Sequence, residues 1–234
     1  MSYFDNTPYQ KKQIKVIEDI ESQVKNNDLK FSTVLPIEDY ENDPRICLTS
    51  VHFPKDGLLD SIQKTMIQPL KKIIPDHYYY TKDNLHLTIK NIRVISDPPN
   101  FTVNDLARVK SIFERVVPAH KKFRVFFYRL LLFKSNLALV GTTGEELDDL
   151  VLDLDRRLRE ESVPDDKQYT NTENFFCNMT LVRFNSQLTT SYKLKIEELS
   201  SKININPYVI DSVTLLTSNA VLKKRKILGK WNLK

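Results

Sequence analysis

The stretch Asp83-Asn84-Leu85-His86-Leu87-Thr88-Ile89-Lys90 carries three chemically active side chains at every second position. In an extended strand successive side chains point to opposite faces. His86, Thr88 and Lys90 then project together, while Leu85, Leu87 and Ile89 enter the core. An imidazole can exchange a proton near neutral pH, a hydroxyl can donate to a phosphoryl oxygen, and an ammonium can supply charge. Together they make a phosphate-handling face; each alone equally describes a partly buried histidine beside a threonine. The stretch Phe175-Phe176-Cys177-Asn178-Met179-Thr180-Leu181-Val182-Arg183-Phe184 has the same shape. Asn178 and Thr180 share a face there, with asparagine in the place of the histidine, and Arg183 adds positive charge. An amide neither takes nor gives a proton near pH 7, although it can hydrogen-bond a phosphoryl oxygen.

These stretches need strands to hold them, and the patterning supplies them. Residues 8–28 read as a polar helix with a thin apolar stripe (Ile14, Ile17, Ile20, Val24) lying on the main domain, and 29–44 as a connecting arm. The main domain is expected over 45–234. Ile46–Phe53 reads as a strand, 58–74 as an amphipathic helix ending before Pro75, and Tyr78–Tyr80 and Leu85–Val94 as strands. A helix follows near 103–117, then strands at Lys122–Phe133 and Leu137–Val140. Leu147, Leu150, Val151, Leu154 and Leu158 mark a helix over 145–160. The strand Phe175–Phe184, a helix near 188–202 and strands near 208–217 and 220–233 complete an α+β pattern in two series.

Composition narrows the chemistry. The chain of 234 residues has four glycines, and neither a G-x-G-x-x-G nor a Walker loop can be written with them. The two cysteines form no C-x-x-C, and the four histidines form no H-E-x-x-H, so no metal and no cofactor is expected. Cys177 reads as a small buried hydrophobe. No signal peptide and no apolar run long enough for a membrane span is visible, so a cytoplasmic location is expected, with a nuclear one open through Lys223-Lys224-Arg225-Lys226. Of a net charge of +5, residues 221–234 hold six basic residues and no acid, which leaves the remainder one charge below neutral. That patch reads as a solvated turn or as a contact for RNA backbone. Tyr78, Tyr79 and Tyr80, and Phe123, Phe126, Phe127 and Tyr128, are expected to pack rather than stack on bases.

The two stretches, with His86 and Asn178 at corresponding places, resemble the paired H-x-T/S motifs of the 2H phosphoesterases, and most of all the LigT branch of 2'-5' RNA ligases and cyclic phosphodiesterases. The resemblance covers most of residues 45–234. It includes Lys90, the second-motif residues Thr180, Leu181 and Arg183, and the closing segment Val213-Thr214-Leu215-Leu216-Thr217-Ser218 with its hairpin.

The resemblance implies a bilobal fold of two pseudo-symmetric lobes, with antiparallel sheets lining a central cleft. It also implies metal-free acid/base chemistry on a 2',3'-cyclic or 2'-5' phosphodiester of a nucleotide or RNA end. His86 would move the proton and Thr88 and Thr180 would hold the phosphate. Lys90 and Arg183 would bind substrate, and Asn178 would fill the second histidine's position as a hydrogen-bonding group. Losing one proton-transfer partner typically costs ~10²–10⁴ in rate. Three accounts of Asn178 stand open: an engineered replacement, a natural phosphate-binding pseudoenzyme, or catalysis by His86 alone. His52, His77 and His120 lie off the motif strands and are the remaining histidines for a substitute acid. A catalytically inactive nucleotide- or RNA-phosphate-binding module is the alternative function. The expected partner is RNA or a nucleotide, with no membrane, and the chain is expected to be a monomer.

Overall fold

Threonine side chains cap the starts of three helices in this chain. In the computed structural model, which describes residues 6–28, 34–169 and 172–234, Thr7 Oγ1 accepts from the Gln10 N–H and Gln10 Oε1 accepts from the Thr7 N–H. This capping box opens α1 (Pro8–Lys25), with Pro8 at a position where the missing N–H costs nothing. Thr102 and Asp105 do the same for α4 (Val103–Val116), and Thr189 caps α6 (Thr190–Ser201).

After α1 come β1 (Ile46–His52), α2 (Asp56–Ile62), a π turn at Gln63–Ile67 and α3 (Gln68–Lys71). The sequence pattern reads α2 to α3 as one helix. Pro69 gives the reason for the interruption: it has no N–H to return to Thr65, and its ring would crowd that carbonyl, so the helix widens just before it. Then follow β2 (Tyr78–Tyr79), β3 (Leu87–Ser96), α4, β4 (Phe123–Leu132), β5 (Asn136–Thr142), α5 (Glu146–Glu160), β6 (Cys177–Arg183), α6, β7 (Tyr208–Ile210), β8 (Ser212–Ser218) and β9 (Arg225–Asn232).

The strands form two antiparallel sheets. Sheet one has the order β3-β1-β8-β9 and sheet two the order β2-β6-β5-β4-β7. The lobes are not the two halves of the sequence, since sheet one joins N-terminal β1 and β3 to C-terminal β8 and β9. The strand expected near 208–217 is divided between the sheets: β7 pairs with β4, and β8 pairs with β1 and β9. Asp211 sits at the crossing point, bonded to Lys55 Nζ at 2.9 Å and Ser212 Oγ at 3.0 Å. The last strand begins only at Arg225 because Asn219 organises the preceding turn. Its Oδ1 accepts from the N–H groups of Lys223 and Lys224, and its Nδ2 donates to the carbonyls of Tyr40 and Glu41.

One large apolar core runs through both lobes, taking Leu85, Leu87 and Leu215 from one side and Leu139, Met179 and Leu181 from the other. A smaller cluster joins α1 to sheet two, with Val16, Ile17 and Ile20 against Leu131, Ala138 and Val140. Strand alternation and pairing put Ala138 and Val140 on the face that also carries Asn178 and Thr180. The helix therefore covers part of the site-bearing face of that sheet.

Gln13 fastens α1 there. Fully buried, it donates from Nε2 to Thr143 Oγ1 at 2.9 Å and to the Phe175 carbonyl at 2.5 Å, and its Oε1 accepts from the Thr143 N–H at 2.9 Å. Gln13→Ala leaves buried backbone groups without partners and is expected to cost about 2–4 kcal/mol. Urea denaturation reads the loss as a lower midpoint, and an unchanged midpoint would rule out this attachment.

Candidate functional site

His86 sits immediately before β3, between the fully buried Leu85 and Leu87. Its Nδ1 lies 2.7 Å from the backbone carbonyl of Asn84. A carbonyl only accepts, so Nδ1 carries the proton and the neutral ring keeps its lone pair on Nε2. Asn84 is itself held on three sides. Its Oδ1 accepts from the Thr81 N–H, and its Nδ2 donates to Tyr78 Oη at 2.7 Å and the Val221 carbonyl at 2.9 Å. Burial lowers the His86 pKa to about 4; the carbonyl of Asn84 opposes this, and the charges of Arg183 and Arg225 reinforce it. At neutral pH the imidazole is uncharged, a state suited to accepting a proton.

On sheet two, the β5–β6 register sets Asn178 opposite Val140 and Thr180 opposite Ala138. Asn178 is half-buried, with no side-chain hydrogen bond to another described residue. Arg183, nearly buried, donates from Nε to Tyr80 Oη at 3.0 Å and from Nη2 to the Ala220 carbonyl at 3.3 Å. Its guanidinium carbon lies 5.8 Å from the centre of the Tyr40 ring. Tyr80 Oη also donates to the Ala220 carbonyl. These contacts tie the end of β6 to the turn that precedes β9.

A cavity of about 230 Å³ opens between the two motif strands. Thr88 and Lys90 from β3 meet Asn178 and Arg183 from β6 in its wall. Its other walls bring in Asn136 of β5, Val16 and Ile20 of α1, and the loop residues Lys167, Gln168 and Tyr169. Among the described residues the polar part of the lining contains amides, the hydroxyls of Thr88 and Tyr169 and three cations, and no carboxylate; the rest is apolar. His86, 8% exposed, and half-buried Thr180 lie outside that lining. Lys90 borders the cavity, yet its ammonium is paired with Asp155 at 3.2 Å and with Asp165. Among the described residues no three His, Cys, Asp or Glu side chains come together as a set able to hold a metal ion.

The remaining histidines stand elsewhere. His52 Nδ1 is 2.9 Å from the Ser212 carbonyl and its Nε2 3.1 Å from Tyr208 Oη. His77 packs among the rings of Tyr79, Phe184 and Tyr192. His120 pairs with Asp153 of α5 at 3.1 Å. Cys177 is buried in the core, and desolvation pushes its thiol up to about 12, far from a reactive thiolate. The basic turn is docked beside the first motif: Arg225 donates to the Asp83 carbonyl at 2.8 Å, and Lys223 reaches the Asp83 carboxylate at 3.5 Å. Sequence reasoning did not find Asn84, the 167–169 loop or the α1 wall. Asn84 lies within the quoted motif, but the other two lie in segments whose composition signals only a polar loop and a surface helix.

No family model and no curated protein matches the chain at the level of sequence. Solved structures do match in fold. Apo LigT from E. coli superposes with a TM-score of 0.52 at 15% identity, covering 81% of this chain and 98% of that one. A conserved protein of unknown function from Agrobacterium tumefaciens gives 0.58 at 13% identity, covering 91% and 99%. A structure described as a phosphoesterase gives 0.52 at 14% identity, covering 81% and 99%. The chain has the bilobal α+β fold of LigT-type 2H phosphoesterase structures. No helix among the described residues is long and apolar enough to cross a membrane.

Proposed function

We propose that this LigT-type fold binds and cleaves a 2',3'-cyclic or 2'-5' phosphodiester at a nucleotide or RNA end. The observation that carries the reading is the cavity wall. Two strands from different sheets bring Thr88, Asn178 and Arg183 to one space with hydrogen-bond donors and positive charge and no carboxylate among its described residues. Such a wall suits an anion with several acceptor oxygens. The volume is below the ~300–1,000 Å³ usual for drug-sized ligands, which favours a terminal phosphate with its ribose over a run of nucleotides. In this reading the neutral His86 takes the proton of the attacking water, and Thr88 and Asn178 donate to phosphoryl oxygens, with Thr180 next on the Asn178 face. Arg183 stabilises charge on the phosphorus.

Asn178 itself favours a second reading, a module that binds the phosphate without turnover. The two separate in a hydrolysis panel of 2',3'-cyclic nucleotides and 2'-5' dinucleotides, run on this protein and on Asn178→His. A second imidazole restores a proton donor at that position, so the variant is expected to gain activity by about 10–10². No turnover by either protein on any member of the panel, with phosphate-end binding retained, would leave the binding module as the function.

A further inference from the structure

The loop between α5 and β6 is fastened along β3. Asp165 pairs with Lys90, the Asp166 N–H donates to the Ile92 carbonyl at 3.3 Å, and Asp166 Oδ1 accepts from the Val94 N–H at 2.6 Å. Tyr169 Oη donates to the Asn91 carbonyl at 3.5 Å. Four attachments within five residues leave the backbone of Lys167 little freedom, and its side chain turns into the cavity that Thr88, Asn178 and Arg183 line. The ammonium lies 5.3 Å from the centre of the Tyr169 ring and forms no ion pair with a carboxylate among the described residues.

We propose that Lys167 is the catalytic proton donor to the leaving oxygen, the role that Asn178 cannot fill. The proposal rests on the phosphodiesterase reading above. As a water oxygen forms its bond to phosphorus, one P–O ester bond breaks. The water's proton passes to Nε2 of His86. The leaving oxygen takes a proton from Nζ of Lys167 and departs as a ribose hydroxyl. Exchange with solvent then returns His86 to its neutral form and Lys167 to its ammonium.

The surroundings suit the ammonium to this task. Burial lowers its pKa to about 8. The nearby Asp165 carboxylate and the Cys47 thiol oppose the shift, and the charges of Lys90 and Arg183 add to it; the Tyr169 phenol is the titratable group packed against the ammonium. A general acid works best when its pKa lies near the operating pH. An ordinary surface lysine, near 10.4, holds its proton too tightly.

The test measures kcat and KM on a 2',3'-cyclic nucleotide for the protein, Lys167→Met, Lys167→Arg and Lys167→Met/Asn178→His. Both single variants are expected to lose about 10²–10³ in kcat, because a guanidinium keeps the charge but does not release its proton. The alkaline limb of the kcat/KM profile near pH 8 disappears in Lys167→Met. On a nitrophenyl phosphodiester, whose leaving group needs no proton, the loss shrinks to less than about tenfold. The double variant regains activity through the histidine. Full kcat in Lys167→Arg would overturn the proposal and make Lys167 a phosphate-binding charge. Turnover by Asn178→His with none by the parent protein would overturn it while leaving the phosphodiesterase reading intact. No turnover by any of these proteins overturns both.

Discussion

His86→Gln is expected to lower kcat/KM on a 2',3'-cyclic nucleotide by about 10²–10⁴, the usual cost of losing a proton-transfer group. Glutamine is similar in size and can still donate to the Asn84 carbonyl, so substrate affinity should change much less than turnover. The acid limb of the kcat/KM profile should lie near pH 4, where His86 protonates in the free protein. A limb near the ordinary histidine value of about 6.5 would mean that the ring is solvated and not held as described. The same shift makes a stability statement. The folded chain binds this proton only below about pH 4, whereas the unfolded chain binds it below about 6.5. Between those values the unfolded state holds more protons, so stability falls as pH is lowered and is fully present above about 6.5. The shift corresponds to a loss on the order of 3 kcal/mol on acidification, to which His86→Gln is immune. Urea denaturation at pH 7 and pH 4 compares the two proteins. Equal acid sensitivity in both would remove His86 as the cause.

The second large effect concerns Lys90, which the motif presents as a cation for substrate. Its ammonium is nearly buried between Asp155 and Asp165, whose side chains are only 18% and 13% exposed. Removing one partner of such a group leaves carboxylates desolvated and unpaired, which costs about 3 kcal/mol or more. Lys90→Met should therefore lower the urea midpoint strongly, and Lys90→Met/Asp165→Asn should recover a large part of it. Asp155 retains Arg159 at 2.7 Å, so Asp165 is the carboxylate left stranded. Loss of the pair also frees the loop that carries Lys167, so activity should fall in Lys90→Met beyond what stability explains. A midpoint unchanged by Lys90→Met would show that the ion pair is not formed.

Much of the site could be read from local pattern. Alternation sends Leu85, Leu87 and Ile89 into the core and Thr88 and Lys90 to the cavity, although Ile89 also borders the cavity and His86 lies outside its lining. The apolar spacing placed α5, and the two apolar runs separated by residues 134–136 placed the β4–β5 hairpin, because these features depend on neighbours within a few residues. The division of β7 from β8 was not legible. A continuous apolar run does not say which sheet each part will join.

The sequence by itself determined which side chains share a strand face, that the second motif lacks its imidazole, and that no glycine-rich phosphate loop exists. These follow from residue identity and from the two-residue period of an extended chain. Tertiary structure decided what those faces meet. Lys90 finds its carboxylates 65 and 75 residues away, Val16 and Ile20 of α1 become a wall of the cavity, and Lys167 reaches it because its neighbours bind β3. It also decided the basicity of His86, since burial and nearby guanidinium charge are properties of the assembled lobes. Strand periodicity encodes direction, but the partners that set charge state and reach arrive only when distant segments pack.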